Sequence, residues 1–278
     1  MRTEDPSRAV PRTRSWTPLA TAGLSILAVC ALAAPLLSPY DPNSQNLAAN
    51  LAPPSVEHPL GCDKLGRDQL SRLIYGGRVS LTVGITSVLA SVSLGLLVGA
   101  VAGYAGGAID FWLMRLVDIL LAFPGMLLAI ALAAVLGPGL PNVVLALSLV
   151  GWTGYARLVR GEVLAVRARD HVEAAIALGI PTSKIVVRHV LPLVTAPLAV
   201  QATFGVAAAI VGEASLSFLG LGVQPPTASW GGMINDGRSF LLVAPHLTMY
   251  PGIAILLTVL GVHATGDALR DRLTTKRG

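Results

Sequence analysis

Six long apolar runs decide what this chain can become: residues 17–38, 80–102, 116–137, 140–156, 190–212 and 243–265. A membrane-crossing helix needs roughly 20 consecutive apolar residues, whereas a membrane β-strand is shorter and alternates in polarity. These runs are continuous, so the expected fold class is all-α integral membrane with six transmembrane helices. The fourth run is short at its apolar centre and is expected to extend toward Arg157. Charge agrees: only 13% of the 278 residues are Asp, Glu, Lys or Arg, against about 25% in an ordinary soluble domain. That is too little polar side chain to cover a soluble protein of this size.

The first run follows basic residues and contains Ala31-Leu32-Ala33, which resembles a cleavage site. A signal-peptide apolar region spans about 7–15 residues, and this run is longer, so an uncleaved anchor is expected. Cys30 lies in that run and Cys62 in the loop after it, which offers no disulfide or metal framework.

With six spans, fifteen of the twenty Lys and Arg side chains fall on one side. They lie in the N-terminal tail, beside the third span at Arg115, between the fourth and fifth spans, and in the C-terminal tail. The positive-inside rule places both termini and the 157–189 loop in the cytoplasm of a chain that crosses the membrane several times. Anionic membrane lipid then supplies the counter-charge to the basic balance, and no nucleic acid is needed as a partner. The organisation expected is a cytoplasmic tail over 1–16, a first helix over 17–38, an extracytoplasmic segment over 39–79, a five-helix core over 80–265 and a cytoplasmic tail over 266–278. Within 39–79, Leu70, Leu73 and Ile74 share one face, with Asp68, Arg72 and Arg78 largely off it. That pattern predicts a helix lying along the membrane surface. The Gly- and Pro-rich 213–242 segment predicts loop and short helix over the mouth of the bundle.

Residues 157–188 carry nine charges. At about 2.5–3.5 kcal/mol each, immersion in the bilayer would cost on the order of 20 kcal/mol or more, so the segment is polar-side. It is nonetheless helical in pattern. Val159, Val163 and Val166 recur at i, i+4, i+7, and Glu173 opens a run of good helix formers. Gly179 is placed to end that helix in the left-handed conformation, and Pro181 forbids continuation. Thr182 or Ser183 is positioned to cap a second short helix running through Arg188. Two short helices at an angle result, with small residues (Ala174, Ala175, Ala177) on the first. The pattern alone leaves both a solvated connector and a docking surface open.

Membrane-depth ionisable groups carry a default functional reading. Asp118 is either functional or an interfacial carboxylate satisfied by nearby Arg115. Glu213 closes the fifth span, and with Gln201 and Phe204 is a candidate to line a path through the bundle. His58, His171, His189, His246 and His263 are scattered singly; His246 and His263 are too far apart along the last run to share a metal ion. No catalytic Ser-His-Asp or H-E-x-x-H spacing occurs, so no catalytic, metal or cofactor-binding residues are assigned. Nor does G-x-x-x-x-G-K-[ST] occur, so ATP would bind on another chain.

Glu173-Ala174-Ala175, three residues, Gly179, and then Leu191-Pro192 resemble the cytoplasmic loop signature of permease subunits in binding-protein-dependent ABC importers. His189 stands where the general pattern has isoleucine, as it often does in the peptide branch. Residues 58–81, 212–238 and 266–273 resemble the corresponding stretches of oligopeptide, dipeptide and nickel permeases, with Cys62 in place of a usual threonine. The resemblance spans residues 17–273.

The resemblance implies that 170–185 is a coupling helix seated on a cytoplasmic ATPase, with Glu173 in a charge-assisted contact, Ala174 and Ala175 in close packing, and Gly179 and Pro181 setting the angle. It implies a second homologous permease subunit (a heterodimer), two ABC ATPase subunits that hold ATP and Mg, and an extracytoplasmic solute-binding protein. Short peptides are the implied cargo, with nickel or glutathione as the alternative. A stand-alone secondary transporter would show inverted repeats with paired broken helices, and no convincing internal repeat is present. A non-transporting membrane scaffold would use the elbow only as a docking site.

Overall fold

The structure, a computed structural model, describes residues 17–275. The tail over 1–16 and the last three residues lie outside the described residues, and with them the basic residues expected to orient the chain there. In chain order the helices are α1 Thr17–Leu32, α2 Ala34–Leu37, α3 Gln69–Ala105, α4 Gly107–Leu121, α5 Gly125–Leu136 and α6 Leu140–Arg167. They continue as α7 Asp170–Ala177, α8 Thr182–Ile185, α9 Leu191–Phe218, α10 Trp230–Gly237 and α11 His246–Thr275. Among the described residues there is no β-strand, only an isolated bridge between Cys62 and Asp68.

Four helices are long and apolar enough to cross a membrane: α3, α6, α9 with the turn before it, and α11. The third apolar run behaves differently from expectation. It is not one helix but the pair α4 and α5, bent by 87°. Pro124, at the break, has no N–H with which to continue the helical ladder. Counted as one broken span the pair makes five, and α1 is a shorter apolar helix.

The bundle is organised on a seam between α3 and α6. Ser87, Ser91, Gly95, Gly99 and Gly103 recur every fourth residue on one face of α3, all buried. A Cβ at Gly99 would stand 2.4 Å from Ala156 O and 2.8 Å from Val159 Cβ. Only glycine permits this approach, the usual route to tight helix packing where lipid supplies no hydrophobic drive. Ser91 Oγ donates to Ser148 O and Ser148 Oγ donates to Ser87 O, both at 3.3 Å, fixing the crossing with polar contacts.

At the end of the bundle away from α7, the predicted surface helix is instead the opening of α3, which runs unbroken for 37 residues. Asp68 caps it, accepting from Ser71 N at 2.7 Å. Arg72, expected off the buried face, is buried. Its guanidinium reaches Asp63, Pro42 O and Pro226 O, so it joins the 39–68 segment to the loop before α10. The Gly- and Pro-rich outer segment forms loop and the short helix α10, as expected. Trp230 anchors it by donating its indole N–H to Leu73 O at 2.9 Å.

Candidate coupling elbow and membrane-depth polar groups

The elbow begins where α6 ends. Arg169 is extended and α7 starts at Asp170. At its other end Gly179 has φ +71°. Ile180 N–H donates to Ala175 O at 3.2 Å and Gly179 N–H to Ile176 O at 2.9 Å. This paired closure satisfies the last carbonyls of α7 and requires the left-handed residue that Gly179 supplies. Pro181 O opens the next helix, accepting from Lys184 N–H at 2.9 Å and Ile185 N–H at 3.1 Å. That helix, α8, does not stand apart: it passes through a π-helical turn over Val186–Val190 directly into α9.

Inward, Val172, Ala175 and Ile185 are buried in one cluster with Val159, Val163 and Val166 of α6 and Val190, Val194 and Leu198 at the start of α9. Outward, Glu173, Ala174, Ala177, Gly179 and Pro181 are exposed, and Leu178 is 79% exposed. Sequence reasoning grouped Ala174 and Ala175 as a docking pair. The structure separates them: Ala175 is 5% exposed and packs on the chain's own core. It fixes the elbow to α6 and α9, while Ala174 lies on the open face.

Arginines of α6 hold α4 beside the elbow. Arg160 makes a two-pronged contact with Asp110, and Arg157 Nη2 lies 2.5 Å from Asp118. Asp118 therefore pairs with Arg157 rather than the Arg115 expected from sequence proximity. Arg167 stacks over the Tyr104 ring and donates to Tyr104 O.

The three proposed path residues do not share one surface. Gln201 is exposed on α9, and Phe204 packs toward α11, its ring 5.3 Å from that of His263. Glu213 is fully buried and accepts from Ser80 Oγ at 2.8 Å and Ser217 Oγ at 2.7 Å. It ties α9 to α3 and lines no open surface of this chain; twelve residues separate it from Gln201, which turns it to another side of the helix. The histidines are less scattered than the sequence implied. His171 and His189 rings come within 6.3 Å at the elbow, and His58 Nδ1 lies 2.9 Å from Asp68.

Sequence reasoning missed an ionic cluster at the opening of α3. Asp63 lies between Arg67 (2.6 Å) and Arg72 (3.5 Å), and Asp236 of α10 meets Lys64 at 2.7 Å and Arg67 at 3.8 Å. The acidic–basic spacing of Asp63 and Arg67 was its only local signal. Asp236 lies too far along the chain to suggest itself.

Residues 95–277 match the family model described as binding-protein-dependent transport system inner membrane component. Residues 18–54 match the N-terminal membrane domain of oligopeptide transport permease C. A dipeptide transport system permease protein of Alkalihalophilus pseudofirmus is 43% identical over 93% of this chain and 86% of its own length. A di/tripeptide transport system permease of Pseudomonas aeruginosa is 45% identical over 90% and 85%. A glutathione transport system permease of Pectobacterium atrosepticum is 43% identical over 92% and 86%. A solved structure of the MetNI methionine ABC transporter in inward-facing form shares the fold at 18% identity, TM-score 0.60, over 72% of this chain and 95% of that one. The chain belongs to the family of inner-membrane permease components of binding-protein-dependent transport systems.

Proposed function

We propose that this chain is one of two permease subunits of an ATP-driven importer of short peptides, crossing the inner membrane six times with both termini in the cytoplasm. Its partners in this reading are a second homologous permease in a heterodimer, two cytoplasmic ATPase subunits that bind ATP and Mg, and an extracytoplasmic solute-binding protein. The ATPases seat on the outward face of α7, where Glu173, Ala174, Ala177 and Leu178 are exposed. Gly179 and Pro181 hold the angle. Gln201 and Phe204 belong to the translocation path. The peptide cargo is supported by the dipeptide and di/tripeptide relatives; the glutathione relatives favour a second reading, a cargo that is itself peptide-like.

The observation that carries this reading is how the elbow is mounted. Val172, Ala175 and Ile185 bury it against the ends of two spanning helices, so a push on its open face moves α6 and α9 as rigid bodies rather than bending a loop. The test is uptake into liposomes by the assembled complex. Dipeptide accumulation should require ATP, and Glu173→Lys or Gly179→Pro should leave insertion intact while ATP hydrolysis no longer drives uptake. Accumulation by this chain without any ATPase subunit would refute the assignment.

A further inference from the structure

Two polar side chains stand exposed on the bundle wall at membrane depth. Gln201 on α9 and His263 on α11 are exposed, and among the described residues neither side chain hydrogen-bonds to the protein. The neighbouring hydroxyls behave otherwise: Thr195, Thr203 and Thr265 each return to a carbonyl of their own helix. Gln201 and His263 belong to one patch. Phe204, one turn from Gln201, sets its ring 5.3 Å from the imidazole at 39°. Gly266 makes room for it, since a Cβ there would stand 3.0 Å from the Phe204 ring.

The depth of the patch follows from its neighbours. A Cβ on Gly205 would meet Tyr155 Oη, and Tyr155 Cβ lies against Gly95. Gly95 is roughly 15 Å along α3 from the helix end at Ala105, at about 1.5 Å per residue, near the middle of the apolar run 80–102. An unpaired amide and imidazole at that level are strongly disfavoured against hydrocarbon. They need water or a partner. Residues 191–212 and 247–266 contain no Asp, Glu, Lys or Arg; a fixed charge follows only at Asp267, one turn beyond His263 and exposed, so the wall around Gln201 and Phe204 offers hydrogen bonds rather than full charges. Such a wall can bind a passing solute and still release it.

We infer that Gln201, Phe204 and His263 line the water-filled path and contact the peptide cargo, a role that rests on the import reading above. The Gln201 amide both donates to and accepts from peptide groups whatever their side chains. His263 offers a ring nitrogen to the backbone or to the terminal carboxylate, and Phe204 orients that ring.

The test uses the assembled transporter in lipid nanodiscs and a hydrophilic thiol reagent, with the parent chain, which keeps Cys30 and Cys62, as the blank. A thiol reacts as its thiolate, which forms only where water reaches it. Gln201→Cys and His263→Cys should therefore react at least about tenfold faster than Leu97→Cys, which α3 presents at the same level. Excess dipeptide should slow both. In uptake assays, His263→Leu should lower uptake about fivefold through the lost hydrogen bond, and His263→Gln, which restores a polar partner, should recover part of that loss. Slow labelling of both variants in a transporter that does import dipeptides overturns the inference and leaves the import reading standing. That is the outcome if a second permease covers the patch. Rapid, peptide-protected labelling in a transporter without ATP-driven uptake does the reverse.

Discussion

Glu213 Oε2 accepts from Ser80 Oγ at 2.8 Å across 133 residues of chain, and each serine bound to this carboxylate also touches the start of α10. Trp230 N–H approaches Ser80 Oγ, and Ser229 Oγ approaches Ser217 Oγ, both at 3.4 Å. The carboxylate is the centre of a ring joining α3, α9 and α10. Removing it leaves buried hydroxyls short of an acceptor, at about 1–3 kcal/mol each, and opens a cavity. Glu213→Ala should lower the thermal midpoint of the detergent-purified complex sharply, and Glu213→Gln, which keeps one acceptor, should lower it less, as expected for a loss of about 1 kcal/mol of stability. Midpoints unchanged in both variants would contradict the ring.

Two glycines, Gly99 at the α3–α6 crossing and Gly161 on the open side of α6, should respond oppositely to the same change. Gly99→Ala drives a methyl group into Ala156 O and Val159 and should cost about 1–3 kcal/mol. Gly161 has nothing within 4 Å of its virtual Cβ. Gly161→Ala should be neutral or stabilising by up to about 1 kcal/mol through helix propensity. Thermal unfolding of the two variants side by side checks this; equal effects would argue against the close approach.

Hydropathy and the Gly179-x-Pro181 break were legible in the sequence because both are local signals. They placed the four long apolar helices α3, α6, α9 and α11 and the elbow. The bend at Pro124 was not legible, because membrane helices often accommodate proline without breaking. Nor was the separation of Ala174 from Ala175, which depends on which side of an eight-residue helix meets Val163 and Ile185. The pairings Ser80–Glu213 and Lys64–Asp236 join residues far apart in the chain, and one sequence carries no trace of them. Glu213 looked like a path residue because it is ionisable at membrane depth; its satisfaction by two serines is a tertiary fact.

The two alanines give the elbow its own test. Ala174→Trp adds bulk to an open face and should leave the chain's thermal stability within about 0.5 kcal/mol while weakening co-purification of the ATPase. Ala175→Trp overfills the Val172–Ile185 contact and should destabilise the chain by about 1–3 kcal/mol. If Ala175→Trp unfolded like the parent, the elbow would not be anchored as described.

Cys62 is fully buried. Burial first, and then the Asp68 and Asp63 carboxylates, push its thiol above the ordinary value. The folded chain thus holds the thiol proton more tightly than the unfolded one. Labelling should stay slow until pH rises well past the ordinary thiol value of about 8.5, and accelerate on denaturation. The sign of linkage follows: this group's stabilising contribution is present below the unfolded thiol's pKa and declines as pH rises through it. Rapid alkylation of folded protein near neutral pH would contradict the burial.

The ionic cluster at the opening of α3 should respond in proportion to burial. Asp63 side-chain exposure is 7%, and it serves Arg67 and Arg72, each 4% exposed. Asp63→Asn leaves two buried guanidinium groups short of their carboxylate, a change of about 3–5 kcal/mol where a single buried partner is lost. Pro42 O and Pro226 O still bind Arg72, and Asp236 still faces Arg67, so the lower end of that range is expected. Asp236 and Lys64 sit at the rim, 28% and 39% exposed. Asp236→Asn should cost no more than about 1 kcal/mol, and that loss should shrink further in high salt. Thermal unfolding at low and high salt separates the two. If Asp236→Asn proved the more damaging, the rim pair rather than Asp63 would be what holds α10 to the opening of α3.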